Sequence, residues 1–194
     1  RFSQLQFEKN KAYYGNNHWI IKRNISVLAE SLKRALIIRK DDFVSRSDAG
    51  QLVPERLWKI GRTDDDKLFN RKKRSEDSEF VIDVLIDSSG SQAGRQAQVA
   101  VQGYIISEAL SQAGIPHRVT GYCAFWGYTV LQRFRDYEDP RETNERIFQF
   151  RAYANNRDGL ALKTVCSSLM ERPEKNKILI VLSDGKPCDM SIQR

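Results

Sequence analysis

The run Phe80-Val81-Ile82-Asp83-Val84-Leu85-Ile86 is apolar on both alternating faces of an extended chain, and only Asp83 interrupts it. Such a strand must be covered on two sides, which a sheet sandwiched between helices provides and a sheet with one wet face does not. The run ends abruptly in Asp87-Ser88-Ser89-Gly90-Ser91. A second run, Lys177 to Ser183 with Ile178-Leu179-Ile180-Val181-Leu182 inside it, stops at Asp184-Gly185 and reads as another buried strand. Between them His117 to Ala124 reads as a strand and Tyr128 to Arg135 as a third. Arg95 to Ala113 reads as a helix stopped by Gly114, Glu142 to Phe150 as a short helix and Gly159 to Met170 as a longer one. Alternation of this kind predicts an α/β fold with a mostly parallel central sheet and helices on both faces.

The first 79 residues are organised differently. Ile21, Ile25, Leu28, Leu32, Ala35 and Leu36 recur at steps of three and four, the stripe of an amphipathic helix from Asn17 to about Arg39. Residues 45–79 mix polar clusters with short apolar groups, Leu52, Leu57, Trp58 and Ile60, and read as an irregular, partly extended connector with one short helix near 54–60. The expected organisation is an N-terminal helical extension over 1–44, that connector over 45–79 and the α/β domain over 80–194. No run approaches the roughly 18 apolar residues that a membrane span needs. Cys123, Cys166 and Cys188 are odd in number and follow no metal or disulfide spacing, so a reducing, cytoplasmic setting is expected. Cys166, spaced with Leu162 and Leu169, reads as a buried core thiol.

In a parallel sheet the ligand site lies beyond the carboxyl ends of the strands. Asp87 and Asp184 both stand at such ends, and the helix from Gly159 returns its amino end, with Asp158 just ahead of it, to the same edge. Asp87, Ser89 and Ser91, then Asp158, then Asp184 are thus expected to deliver oxygen ligands to one place. Three convergent carboxylates repel one another unless they take up protons or a cation neutralises them. Carboxylates and hydroxyls without His or thiolate suit Mg²⁺, Mn²⁺ or Ca²⁺ rather than zinc or copper. Mg²⁺ keeps several waters, which leaves a coordination position open to an outside carboxylate. Singly, Asp158 reads equally as a helix cap, Asp184-Gly185 as a turn, and the serines as partners of loop backbone. Their joint placement on one edge favours the ion.

These residues carry a resemblance. Asp87-x-Ser89-x-Ser91 after a buried strand, with Ser183-Asp184-Gly185 after a later one, resembles the metal-ion-dependent adhesion site (MIDAS) of von Willebrand factor A (VWA) domains, a Rossmann-like fold. Asn156-Arg157-Asp158-Gly159-Leu160-Ala161-Leu162 before a helix is similar to the bacterial cobaltochelatase CobT-type subunit and to nitric oxide reductase activation proteins. The resemblance covers roughly residues 45–190. It implies that Asp87, Ser89 and Ser91 hold the ion, that Asp184 binds it directly or through water, and that Asp158 stands where many relatives place threonine, adding a negative charge. Gln92 stands where relatives often have methionine. The fold usually continues with at least one more strand and helix, so the sheet is expected to be incomplete within these residues. The implied role is metal-dependent protein interaction without catalysis, as accessory subunit of a MoxR or magnesium-chelatase type AAA+ ATPase that activates or inserts metal into a target enzyme.

Other chemistries fit less well. The serines lie in no Gly-x-Ser-x-Gly, and His117 starts a parallel strand, at the edge opposite Ser89 and Ser91, which disfavours a serine hydrolase. Ser88 to Gly94 lacks the glycine and lysine pattern of a phosphate loop. Phe125, Trp126 and Tyr128 follow the second strand at the carboxyl edge and are candidate partner contacts, with packing on a neighbouring element as the alternative. The net charge of +7 is uneven: 18 Lys and Arg face 12 Asp and Glu in residues 1–80, against 14 and 13 in the rest. The basic first part, including Arg71-Lys72-Lys73-Arg74, leaves a nucleic-acid-binding module as the second hypothesis, one whose binding weakens steeply with salt and ignores Mg²⁺ chelation. The sequence does not fix an oligomeric state.

Overall fold

A computed structural model describes residues 2–39, 43–47, 51–59, 67–73, 80–125, 128–153, 155 and 157–185. In chain order its elements are α1 (Phe2–Asn16), α2 (His18–Arg39), β1 (Phe43–Ser47), β2 (Gln51–Leu52), a 3₁₀ helix at Pro54–Lys59, β3 (Phe69–Lys73) and β4 (Phe80–Asp87). There follow a 3₁₀ helix at Gly90–Arg95, α3 (Gln96–Ala113), β5 (His117–Phe125), β6 (Tyr128–Arg135), a 3₁₀ helix at Arg141–Gln149, α4 (Asp158–Met170) and β7 (Asn176–Leu182). Contacts divide the chain into two compact units, Arg34–Asp77 on the one hand and Arg1–Lys33 with Ser78–Arg194 on the other.

The smaller unit holds a three-stranded antiparallel sheet in the order β1-β3-β2, where the sequence reading expects an irregular, partly extended connector with one short helix and no paired sheet. The helix is there, as the 3₁₀ turn at 54–59. The strands escape a pattern search because Phe43–Ser47 and Phe69–Lys73 are short and polar; their register comes from pairing with each other, Phe43 opposite Lys73 and Ser47 opposite Phe69. Ile60 and Arg74 lie outside the described residues.

In the larger unit the sheet runs β6-β5-β4-β7, with β4 parallel to both β5 and β7 and only β6 antiparallel. Alternation along β4 sends successive side chains to opposite faces. Leu85 meets Tyr122, Ala161 and Val165, so that face is covered by α4. Ile86 reaches Gly103 of α3 on the other. This is the two-sided cover that the first strand demands, and every residue of β4 is buried. Gly114 ends α3 in the left-handed region, φ 71°, and its N–H caps the carbonyls of Leu110 and Ser111.

Two expectations change. Among the described residues the run at 178–182 is not interior: β7 pairs with β4 alone, and Ile178 and Val181 keep 40% and 41% of their surface exposed. Apolar content says that a strand can be covered, not that residues within reach cover it. Cys166 is exposed, because the buried face of α4 is Ala161, Val165 and Leu169 and the thiol stands one residue off that stripe. Cys188 lies outside the described residues.

Helix α1 has almost no apolar stripe, and the sequence reading gives it no helix. A polar contact anchors it: the fully buried Asn10 amide donates to the carbonyls of Phe148 and Phe150 at 2.9 and 3.0 Å. Tyr14 adds edge-on contact with Tyr104 and meets Phe148 with its ring tilted.

The amino edge of the sheet is polar and closed. On the α4 face Asp83 is buried against Arg118, whose Nη2 and Nε donate to the two carboxylate oxygens at 2.6 and 3.1 Å. The Tyr137 phenol donates to Asp83 at 2.7 Å, and Arg118 also reaches Ser168 of α4 at 2.8 Å. Opposite, the fully buried His117 contacts the Ile115 carbonyl through Nδ1 at 2.9 Å and the Ser107 hydroxyl through Nε2 at 2.8 Å. His117 therefore lies at the first rung of the β4 and β5 pairing, opposite Ile82, far along the strand from the serine loop.

Candidate functional site

The carboxyl ends of β4, β5 and β7 meet at one edge. Strand β4 ends in Asp87, whose side chain is fully buried. Burying a carboxylate requires partners, and the loop supplies them: the Ser89 N–H donates to Oδ1 at 2.8 Å and the Ser183 hydroxyl reaches Oδ2 at 3.4 Å. Ser183 follows β7, so this contact ties the two strand ends across 96 residues. The Ser89 and Ser91 hydroxyls lie 2.8 Å apart. Ser88 fixes the loop from below, donating its N–H to the Tyr122 carbonyl at 2.8 Å and accepting from the Tyr153 N–H at 2.7 Å.

Tyr122 of β5 connects these residues to the third segment. Its phenol donates to Asp158 Oδ1 at 2.9 Å, in the first turn of α4. Burial raises the phenol's pKa above the ordinary 10, and the charges of Asp87 and Asp158 push it further up, while a hydrogen bond with Ser183 opposes them. Tyr122 thus stays protonated and serves as a donor between two acids. Sequence reasoning missed it; its only signal is a position level with Asp87 on the neighbouring strand. Asp158 makes no capping bond at its own helix start, where Arg157 is the N-cap residue. Cys123, one residue on, has its thiol pKa raised by burial and then by the charge of Asp87.

Asp87, Ser89, Ser91 and Asp158 are therefore linked through Tyr122 and Ser183, while Asp184 lines a cavity of about 220 Å³ on the side of Gln92 and α3. Among the described residues no three His, Cys, Asp or Glu side chains gather closely enough to hold an ion by themselves. The donors at Asp87 are hydroxyls as much as carboxylates. Oxygen ligands that share an octahedral Mg²⁺ at 2.0–2.1 Å stand about 3 Å apart, and the spacing of the two serine hydroxyls meets that requirement. Phe125 and Tyr128 are both exposed at the turn between β5 and β6. Trp126 and Asn156 lie outside the described residues.

A family model described as the cobalamin biosynthesis protein CobT VWA domain matches residues 68–138 and 141–194. The chain belongs to this family. The CobT-type VWA match takes in every strand of the larger sheet and each of the loops described above. A Bacillus subtilis (strain 168) protein described as uncharacterized protein YojO is 25% identical over 131 residues, which are 62% of this chain and 20% of that protein. The chain thus spans about a fifth of the length of that curated relative. The fold expected from the resemblance is the one observed: a mostly parallel sheet flanked by helices, with N-terminal helices. A VWA domain is in general a binding or accessory module. No helix among the described residues is long and apolar enough to cross a membrane.

Gly121 gives the loop its clearance. A Cβ built there would stand 2.8 Å from Ser88 Oγ and 3.0 Å from the buried Phe134 ring. Gly121→Ala is expected to cost about 1–3 kcal/mol through overpacking and to shift the Ser88 and Ser89 amide resonances; an unchanged urea midpoint would contradict this.

Proposed function

We propose that this CobT-type VWA domain is a metal-ion-dependent interaction module, the non-catalytic accessory part of an ATP-driven activation or chelatase system. The observation that supports it most is Asp87, a fully buried carboxylate at the end of a central strand with the Ser89 and Ser91 hydroxyls turned together beside it. Asp87, Ser89 and Ser91 would hold Mg²⁺, or Mn²⁺ or Ca²⁺, with Asp158 and Asp184 completing the set directly or through water. The ion would supply a coordination position for a carboxylate brought by the partner. Tyr122 keeps Asp158 oriented by donating to it, and Ser183 couples the end of β7 to Asp87. Phe125 and Tyr128, with Trp126 between them in sequence, would give that partner an aromatic contact on the same edge. The partner is read as a MoxR or magnesium-chelatase type AAA+ ATPase in the cytoplasm, and ATP hydrolysis would be its part of the work. The target is a metalloenzyme that receives its metal, as in cobalt insertion, or is activated, as for nitric oxide reductase.

The test is thermal unfolding of the chain and of Asp87→Ala in EDTA and across a Mg²⁺, Mn²⁺ and Ca²⁺ titration. An ion that binds only the folded state stabilises it by about 2.7 kcal/mol at a hundredfold excess over Kd. The parent is expected to gain that stability and the variant to gain none. Indifference of both at millimolar ion would remove the metal reading and leave the basic, salt-sensitive nucleic-acid hypothesis to be tested.

A further inference from the structure

Tyr122 is held at both ends. Its carbonyl accepts the Ser88 N–H at 2.8 Å, and its fully buried ring packs with Leu85 of β4 and with Ala161 and Val165 of α4. The phenol is thus a fixed donor, and it reaches Asp158 Oδ1 at 2.9 Å. Asp158 is half-buried and makes no capping bond to its own helix. Among the described residues no second hydrogen-bond donor reaches its side chain, so a single contact turns the carboxylate and engages one of its two oxygens. A hydrogen bond stabilises charge at the carboxylate oxygen that accepts it, which leaves Oδ2 the better ligand. The two common hard cations use carboxylates differently. Ca²⁺ takes about six to eight oxygens in a flexible shell and often holds a carboxylate by both of its oxygens, whereas Mg²⁺ demands near-octahedral geometry, keeps several waters and takes few carboxylates.

We infer that Tyr122 is a positioning residue that sets the ion preference of this edge: by engaging Asp158 Oδ1 it limits Asp158 to one oxygen, offered directly or through water, and so favours Mg²⁺ over Ca²⁺. The inference rests on the metal reading above. The ligand set agrees with it. Among the described residues no three His, Cys, Asp or Glu side chains gather to hold an ion, so the Ser89 and Ser91 hydroxyls and water would have to complete the shell, which Mg²⁺ accepts more readily than Ca²⁺. Removing the phenol oxygen frees the carboxylate to turn and to present both oxygens. Ca²⁺ can use that freedom; Mg²⁺ only loses the orientation.

The probes are MgCl₂ and CaCl₂, titrated separately into the metal-stripped chain while the Ser89 amide resonance reports Kd for each ion. The parent is expected to bind Mg²⁺ the more tightly. Tyr122→Phe keeps the ring that fills the core and removes only the donor; it is expected to weaken Mg²⁺ about tenfold, as loss of an outer hydrogen-bond partner does at metal sites, while Ca²⁺ keeps or gains affinity. Asp158→Asn is expected to weaken both ions, and adding Tyr122→Phe to it leaves the ratio of the two Kd values unchanged, because the phenol acts through that carboxylate. A parent that binds Ca²⁺ as tightly as Mg²⁺, an equal effect of Tyr122→Phe on both ions, or a change of ratio that persists in the Asp158→Asn background overturns the role of Tyr122 and leaves the metal site standing. A parent that binds neither ion overturns both.

Discussion

Replacing Asp83 by alanine is expected to cost about 3–5 kcal/mol of folding stability. The carboxylate and its partner Arg118 are both almost fully buried, with side-chain exposures of 2% and 6%. Removing the acid leaves a guanidinium in the sheet with two of its donors unpaired and the Tyr137 phenol without its acceptor. The aromatic cover makes relaxation harder, since the Tyr137 ring is stacked by Arg118 at 4.9 Å and by Arg172 at 4.5 Å. Domains of this size are stable by about 5–15 kcal/mol, so the variant should be studied by urea unfolding well below its melting temperature. The double replacement Asp83→Leu with Arg118→Met removes both charges and is expected to lose far less than the single change. Equal losses in the two would mean that the pair matters for its packing alone.

The second large effect is acid lability from His117. Burial lowers its pKa from 6.5 to about 4; the charge of Arg135 acts in the same direction, against the Ile115 carbonyl and Glu108. The hydrogen bonds state the conflict in protons. Nδ1 faces a carbonyl and must carry a hydrogen, so neutral His117 accepts at Nε2 from Ser107. The Ser107 hydroxyl then cannot also donate to Asn144 Oδ1 at 2.9 Å, an acceptor that Arg135 serves at 2.7 Å. Asn144 in turn donates to Glu108, which Arg141 holds from the other side. The unfolded chain binds a proton at His117 below pH 6.5, whereas the folded one does not until about pH 4. Stability is therefore full above 6.5 and falls as pH drops through that window, by about 3 kcal/mol in all. In His117→Gln the urea midpoint should change correspondingly less between pH 7 and pH 4.5. A variant with the same pH profile as the parent would assign the acid sensitivity to other groups.

How much of this was readable beforehand differs by element, for physical reasons. Phe80 to Ile86 announced a strand covered twice, because hydrophobic content on both faces has few other uses. The serine loop, Asp158 and Asp184 were placed at one edge by counting strand ends, and the observed links among Asp87, Tyr122, Asp158 and Ser183 lie there. Tyr122 was invisible because its role depends on lying level with Asp87 across the pair. Strands β1 and β3 were hidden because their sequences, FVSRS and FNRKK, alternate too weakly to mark a face. Helix α1 was hidden because one buried asparagine, rather than an apolar stripe, fastens it. The segment Glu142 to Phe150 reads as a short helix, and the structure has one at Arg141–Gln149, of the 3₁₀ kind; that kind rests on hydrogen-bond spacing, which composition does not encode.

The contact between Asp87 and Ser183 spans 96 residues, and β4 finds its parallel partner β7 only after α3, β5, β6 and α4 have been made. As the chain leaves the ribosome, β4 and β5 are free to pair while Ser183 and Asp184 are still unsynthesised, since domains emerge amino end first. Closing so long a loop adds only a slowly growing entropic cost, but it sets the order of events. The acid loop is thus assembled in two instalments, and its second half arrives with β7. Any ligand that needs both halves can recognise only a chain whose sheet is already laid down through β7, so occupancy of this edge doubles as a report that folding has reached that point.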